Sequence, residues 1–167
     1  EKFLMKRCAF SIVVNDSIAD ELQRIHKLKD RPVVVRNIPP YWEIDESACQ
    51  MQRAEFCRAL HAPEDAFIAM YHGMLFQNRG IENLIRAVGK SENTIGVVLG
   101  NGEEDYIQSL KDLASSINVA DRILFHPAVP IEELWKYVGA AHVGVIVVPV
   151  IFKSHYFGLG NKFFENI

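Results

Sequence analysis

The chain has 167 residues, with 18 basic against 21 acidic side chains and a formal net charge of −3; 49% of it is hydrophobic and 23% charged. That composition, with a mean hydropathy of +0.03, excludes disorder and fibrous repeats and suits a globular chain long enough for its own core. The charge balance gives no reason to expect nucleic acid as a partner.

Residues 9–14 read as a buried strand. Ser17 is placed to cap a helix running to about Lys27, with Asp20 three residues further on. Residues 32–35 make a short second strand. Pro39 and Pro40 fix φ and lack donors, so residues 37–42 are irregular and mark a hinge. Residues 46–60 are helical by composition, and residues 66–72 form a strand that ends in Gly73. Ile81, Leu84, Ile85 and Val88 give the stripe of a helix. A β-branched run at 94–99 turns at Gly100, Asn101 and Gly102, and a second helical stripe follows through Ile107, Leu110, Leu113, Ala114 and Ile117. Then come a strand at 122–125, a helix at 131–140 and a strand at 143–148 with no polar alternation. Strands buried on both faces read this way, and the β-α order predicts an α/β fold with a Rossmann-like, doubly wound parallel sheet.

Three cysteines, Cys8, Cys49 and Cys57, form no CxxC pair and no disulfide framework, which points to a reducing, cytoplasmic compartment. The longest apolar stretch, residues 138–152, is too short to span a membrane. The chain starts at Glu1 and stops at Ile167 inside an apparent helix, so the expectation is a piece cut from a longer protein.

Ligands of open α/β sheets bind beyond the carboxyl ends of the strands. The loops that begin there are residues 72–80, 100–102, 126–130 and 149 onward. Gly100 and Gly102 lack the third glycine of a dinucleotide fingerprint, and Glu103, Glu104 and Asp105 would repel a pyrophosphate at the next helix. A tight turn that lets a ligand approach backbone is the better reading of Gly100. Arg79 precedes a helix, where it either meets a phosphate drawn to the helix amides or is a solvated surface arginine. Gly158 and Gly160 lead into a helix that begins near Asn161. Lys162 sits in its first turn, where a bound anion would relieve a cation's conflict with the dipole. Glu165, one turn on, faces the same cleft and suits a ribose diol. The alternative is an ordinary amphipathic helix with Phe163 and Phe164 in the core. His72 and His126 lie at strand ends, either lining the cleft or bonded locally; no histidine pair has zinc spacing. Neither a Walker-type phosphate loop nor a GxSxG elbow occurs.

Taken in order, these segments resemble one family. YHGMLFQNRGIENLIRA (71–87), VVLGNG (97–102), DRILFHPAVPIEEL (121–134) and the stretch 157–165 are similar to the donor domain of family 4 glycosyltransferases. Upstream, VVNDSIADEL (13–22) and VVRN (34–37) look like the last elements of the acceptor-side domain. The resemblance implies a GT-B fold and this division: residues 1–37 as a remnant of the preceding Rossmann-like domain, 38–63 as linker and helix, 64–167 as the nucleotide-sugar-binding domain. It implies transfer of a hexosyl group from a nucleotide diphosphate sugar to an acceptor hydroxyl, in polysaccharide or glycoconjugate biosynthesis. It implies Arg79 on the donor diphosphate, Glu165 on the ribose hydroxyls, backbone at Gly160 and Asn161 on phosphate, and Lys162 assisting. Gly73 and Gly100 complete the expected donor-binding set.

Two residues depart from the family pattern: Phe157 replaces the glutamate that meets the donor sugar, and Met74 replaces an arginine of the first loop. No metal or other cofactor is expected, and no catalytic base is assigned. Glycan or lipid-linked acceptor would be held by the missing domain, so the fragment alone should transfer no sugar. The expected location is the cytoplasm, with peripheral association of the full-length protein at the inner face of the membrane. A nucleotide-sugar epimerase using His72 or His126, and a non-catalytic nucleotide-sugar-binding module, stay open as alternatives.

Overall fold

Helices and strands alternate along the chain: α1 (Lys2–Met5), β1 (Ile12–Val13), α2 (Asp16–His26), β2 (Val33–Val34), α3 (Glu46–Ala59), β3 (Phe67–His72), α4 (Ile81–Val88), β4 (Thr94–Leu99), α5 (Glu104–Ser116), β5 (Ile123–His126), α6 (Ile131–Ala140), β6 (Val143–Gly144) and α7 (Asn161–Glu165). These come from a computed structural model that describes residues 2–147, 156–158 and 160–166. The chain divides into two units, residues 1–40 with 150–164, and residues 41–149 with 165–167.

In the second unit all strand pairs are parallel and the sheet order is β5-β4-β3-β6. The sheet is buried on both faces because its residues alternate. Ile68, Met70, Ile95, Val97 and Leu99 join Phe56 and Cys57 of α3 and Leu134 and Ala140 of α6 in one core. Ala69, Tyr71 and Val98 join the α4 stripe and Tyr106, Leu110 and Ala114 of α5 in another. The α4 stripe is the predicted one: Ile81, Leu84, Ile85 and Val88 are all at most 3% exposed, each contributing about 1.5–3 kcal/mol by burial. The order places β6 back beside β3 after the chain has stepped outward through β4 and β5, so the switch in winding direction falls between β3 and β6.

This unit differs from the expected 64–167 domain. It includes α3, whose Phe56 and Cys57 are core residues of the sheet, and residues 150–164 group with the other unit.

The first unit holds a two-strand parallel ladder, Ile12 opposite Val33 and Val13 opposite Val34. The expected strands at 9–14 and 32–35 are each two residues long, and of the first only Val13 is buried; Phe10, Ile12 and Val14 are exposed. The helix cap is Asn15 and not Ser17. Asn15 Oδ1 accepts from the Ile18 amide at 2.9 Å, which leaves Ser17 inside the first turn, while Asp20 pairs with Arg31 at 2.7 Å. Lys27 closes the helix in the left-handed region at φ 50°. Asn15 also donates through Nδ2 to the Phe157 carbonyl at 2.7 Å. The predicted strand at 143–148 is Val143–Gly144, and its last residue, Val148, lies outside the described residues.

Candidate functional site

The loops beyond β3, β4 and β5 are bonded to one another. The Gly73 amide donates to Leu99 O at 2.9 Å, Leu75 to Asn101 O at 2.8 Å and Gly100 to His126 O at 2.9 Å. Asn101 Oδ1 takes the Ala128 amide at 3.1 Å. The strand ladders therefore continue past the strand ends as a fixed ledge. Gly100 is where this is tightest: a Cβ there would fall 1.8 Å from Gly73 O, and one at Gly102 would fall 2.1 Å from Leu75 O. What approaches the backbone at Gly100 is the neighbouring loop.

The first loop is fixed from within as well. The Tyr71 hydroxyl donates to Met74 O at 2.9 Å, and Leu75 is buried. Burial pushes the Tyr71 phenol up, against the opposing charge of Arg79. The Arg79 guanidinium lies 4.3 Å from the centroid of the Phe76 ring. Gly80 then caps α4 at φ 71°, with a Cβ excluded by Val147 at 2.5 Å, so only glycine fits this turn. Behind it the Tyr106 hydroxyl donates to Glu82 at 2.8 Å. Burial, and then the Glu82 carboxylate, hold that phenol far above its usual range.

At the switch point, His72 ends β3 with its side chain 3% exposed. Its Nδ1 stands 3.6 Å from Oε2 of Glu165, whose side chain is 9% exposed. The contact is an ion pair when the imidazole is protonated. Next to it, Asn166 packs on β6 so closely that a Cβ at Gly144 would meet its Cγ at 2.1 Å. Both polar side-chain atoms of Asn166 are buried and have no hydrogen-bond partner among the described residues. His126 is engaged locally. Its Nδ1 lies 2.7 Å from the Pro127 carbonyl, which only accepts, so Nδ1 carries the proton, and its ring packs on Tyr137.

Of the predicted residues, Gly73, Arg79, Gly100 and Glu165 fall in the second unit, and Gly160, Asn161 and Lys162 in the first. The dipole argument for an anion at Lys162 loses its force, because α7 has five residues and Lys162 is as near its last turn as its first. Phe163 is exposed and meets Phe164 edge-on, so the alternative of an amphipathic helix with both phenylalanines in the core does not hold. Pairing of Glu165 with His72, and the packing of Asn166, were beyond sequence reasoning; the only cue was the placement of His72 at a strand end. Among the described residues no group of three or more His, Cys, Asp or Glu could hold a metal ion. No helix there is long and apolar enough to cross a membrane.

A family model described as glycosyl transferases group 1 matches residues 52–159. An uncharacterized glycosyltransferase of Methanocaldococcus jannaschii is 29% identical over 147 residues, 85% of this chain and 36% of that protein. The lipopolysaccharide core biosynthesis glycosyltransferase LpsD of Rhizobium meliloti is 35% identical over 66 residues, 40% of this chain and 19% of that protein. Among solved structures, Anabaena HepE in complex with UDP and glucose matches with a TM-score of 0.67 at 14% identity, covering 87% of this chain and 40% of that chain. At that identity the likeness is one of fold, and it bears out the α/β parallel sheet. The chain spans little more than a third, or less, of the length of these curated relatives.

Proposed function

This chain belongs to the glycosyl transferases group 1 family, and from that premise we propose that it is the donor-binding part of a GT-B enzyme, within family 4, that takes a nucleotide diphosphate sugar. The whole protein would move a hexosyl group to an acceptor hydroxyl. The acceptor oxygen attacks the anomeric carbon and its hydroxyl proton is released to solvent, while the bond to the diphosphate breaks and the nucleoside diphosphate leaves with the electron pair. Polysaccharide or glycoconjugate assembly, a glycan or lipid-linked acceptor and a place in the cytoplasm at the inner membrane face belong to the same reading. In it this chain alone transfers nothing, because holding the acceptor in line is the work of the other domain.

The observation that carries the reading is a nearly buried carboxylate, Glu165, at the switch point beside the end of β3. A carboxylate there accepts from both hydroxyls of a ribose diol. The remaining roles follow from the resemblance, residue by residue. Arg79 neutralises diphosphate, backbone at Gly73 and Gly100 borders it, amides near Gly160 and Asn161 bind phosphate, and Lys162 assists. Cations and amides would stabilise the leaving group without a divalent metal. The epimerase alternative is weakened at His126, whose ring is occupied by Pro127 and Tyr137.

Isothermal titration with UDP, GDP and their sugars tests the reading. Glu165→Ala should weaken the preferred nucleotide about 10- to 100-fold, the size of one or two hydrogen bonds to a charged group. Glu103→Ala, at the N-cap of α5, should leave affinity unchanged. Equal affinities for wild type and Glu165→Ala would remove the ribose role, and binding of none of these nucleotides would remove the donor reading itself.

A further inference from the structure

We propose that Phe76 is the positioning residue for Arg79, and that its ring holds the guanidinium ready for the donor diphosphate. The proposal rests on the donor-site reading and adds to it an aromatic residue that the resemblance does not assign.

Arg79 is the one lysine or arginine of the 72–80 loop, since Met74 replaces the arginine of the family pattern. The backbone on both sides of it is well fixed. Upstream, Leu75 is buried, its amide donates to Asn101 O at 2.8 Å, and it pairs in parallel with Gly102. Arg79 itself lies between two left-handed residues, Asn78 at φ 66° and Gly80 at φ 71°, which turn the chain into α4. A fixed backbone does not fix a guanidinium at the end of a long, rotamer-rich stem. Among the described residues no hydrogen bond or ion pair engages the Arg79 side chain. What it meets is the Phe76 ring, 4.3 Å from the guanidinium carbon to the centroid. Phe76 belongs to neither core cluster and is 39% exposed. Core packing therefore does not account for an aromatic residue three positions before the cation.

The choice of partner matters chemically. A carboxylate would cancel the charge of the guanidinium and take two of its N–H donors in a fork. A phenyl ring attracts the cation through its quadrupole and leaves the charge intact, so phosphate oxygens find it uncompensated. The stem is also restricted before a ligand arrives, and less rotamer freedom is lost on binding. Both advantages are realised only by a ligand that uses Arg79.

A double-mutant cycle tests this. Dissociation constants for UDP, or for GDP if that binds more tightly, are measured for the 167-residue wild type, Phe76→Leu, Arg79→Met and the double variant, with thermal melts to check that each is folded. Arg79→Met should weaken binding about tenfold or more, the size of a hydrogen bond to a charged group. Phe76→Leu should weaken it about two- to fivefold, the value of an exposed cation–π contact. In the Arg79→Met background the same change should have no effect, so the two losses do not multiply. Phe76→Trp should restore wild-type affinity. A ring that acted by packing the loop, or by touching the nucleoside, would weaken binding by the same factor in both backgrounds and would overturn the proposal. Wild-type affinity in Phe76→Leu, together with a loss in Arg79→Met, would overturn the positioning role and leave the diphosphate role of Arg79 standing. Unchanged affinity in Arg79→Met would remove both, and binding of neither nucleotide by wild type would remove the donor reading with them. Should Arg79→Met bind too weakly to measure, Phe76→Trp decides: wild-type affinity supports the proposal, and the affinity of Phe76→Leu refutes it.

Discussion

The two sheets of this chain are built from similar residues and end in opposite states. In β1 and β2 the apolar side chains of Ile12 and Val33 are 59% and 50% exposed. In β3 and β4, Ile68, Val97 and Val98 are at 0%. Side-chain chemistry does not separate them. The difference is in layers: β3 and β4 have α3 and α6 on one face and α4 and α5 on the other. Polar contacts follow the same split. Around α2 they are surface ion pairs, with Asp16 meeting Arg31 at 2.9 Å and Arg36 at 3.1 Å. Around the larger sheet the loops are also joined by backbone bonds that leave no space for a side chain at Gly100 and Gly102. One region is held by replaceable attractions and the other by fit.

The largest effect that would sharpen this contrast is expected at Gly100. In Gly100→Ala the new carbon would overlap Gly73 O, at 1.8 Å, and the loops beyond β3 and β4 would have to separate. A loss of about 3 kcal/mol or more is expected, at the upper end for overpacking. Urea denaturation followed by near-ultraviolet dichroism measures it, and a stability within experimental error of wild type would break the argument from fit.

A smaller effect is expected from acid. His142 Nδ1 accepts the Ile68 amide at 3.0 Å, and burial, with a contribution from the Arg53 charge, lowers its pKa. A protonated Nδ1 has no lone pair to offer. The unfolded chain therefore binds the proton more readily. The contribution of this bond is complete above the ordinary histidine value of about 6.5 and is lost as pH falls from there through the lower folded-state value. Thermal melts of wild type and His142→Phe between pH 7.5 and 5 should converge as the pH drops. Parallel curves would show that the ring does not titrate against the strand.

The smallest effect is expected at Asp16. Arg31 first and Arg36 second hold its carboxyl below the usual range, but the group is solvated. Asp16→Asn should leave the melting temperature unchanged at physiological salt, as for most exposed ion pairs. A clear drop would mean that the first unit depends on its charges more than the comparison allows.

Residues 66–140 were legible for a physical reason. Where helices cover both faces, burial and periodicity agree, so β3, α4, β4 and α6 fall within a residue or so of their expected bounds. The apolar runs at 9–14 and 32–35 look the same on paper, because a run of valines does not say whether anything lies over it. The cap of α2 was misplaced because Asn15 and Ser17 are both competent and two positions apart; the extended backbone of Asn15, φ −155°, decides between them. Glu165 was visible as a residue through its spacing from Asn161. Its partner was not, because His72 and Glu165 are far apart in the chain and meet only when β3 and the end of α7 are in place. Gly100 and Gly102 were read toward a ligand because a sequence does not show that another loop lies against them.

The strand order also has a kinetic consequence. β3, β4 and β5 follow one another in the chain and lie side by side in the sheet, with four- to six-residue strands joined through α4 and, for the second step, through α5 and a short 3-10 turn at Ala120–Arg122. Each step closes a short loop at modest entropy cost. β6 has to return past both to reach the open side of β3, and among the described residues it pairs there through Ala69 with Val143 and Met70 with Gly144. In a refolding experiment the β3-β4-β5 half should gain amide protection first, and the edge that carries His142 and Val145 last. Protection at Glu165 would then appear only after the rest of the sheet and would report the final step of folding.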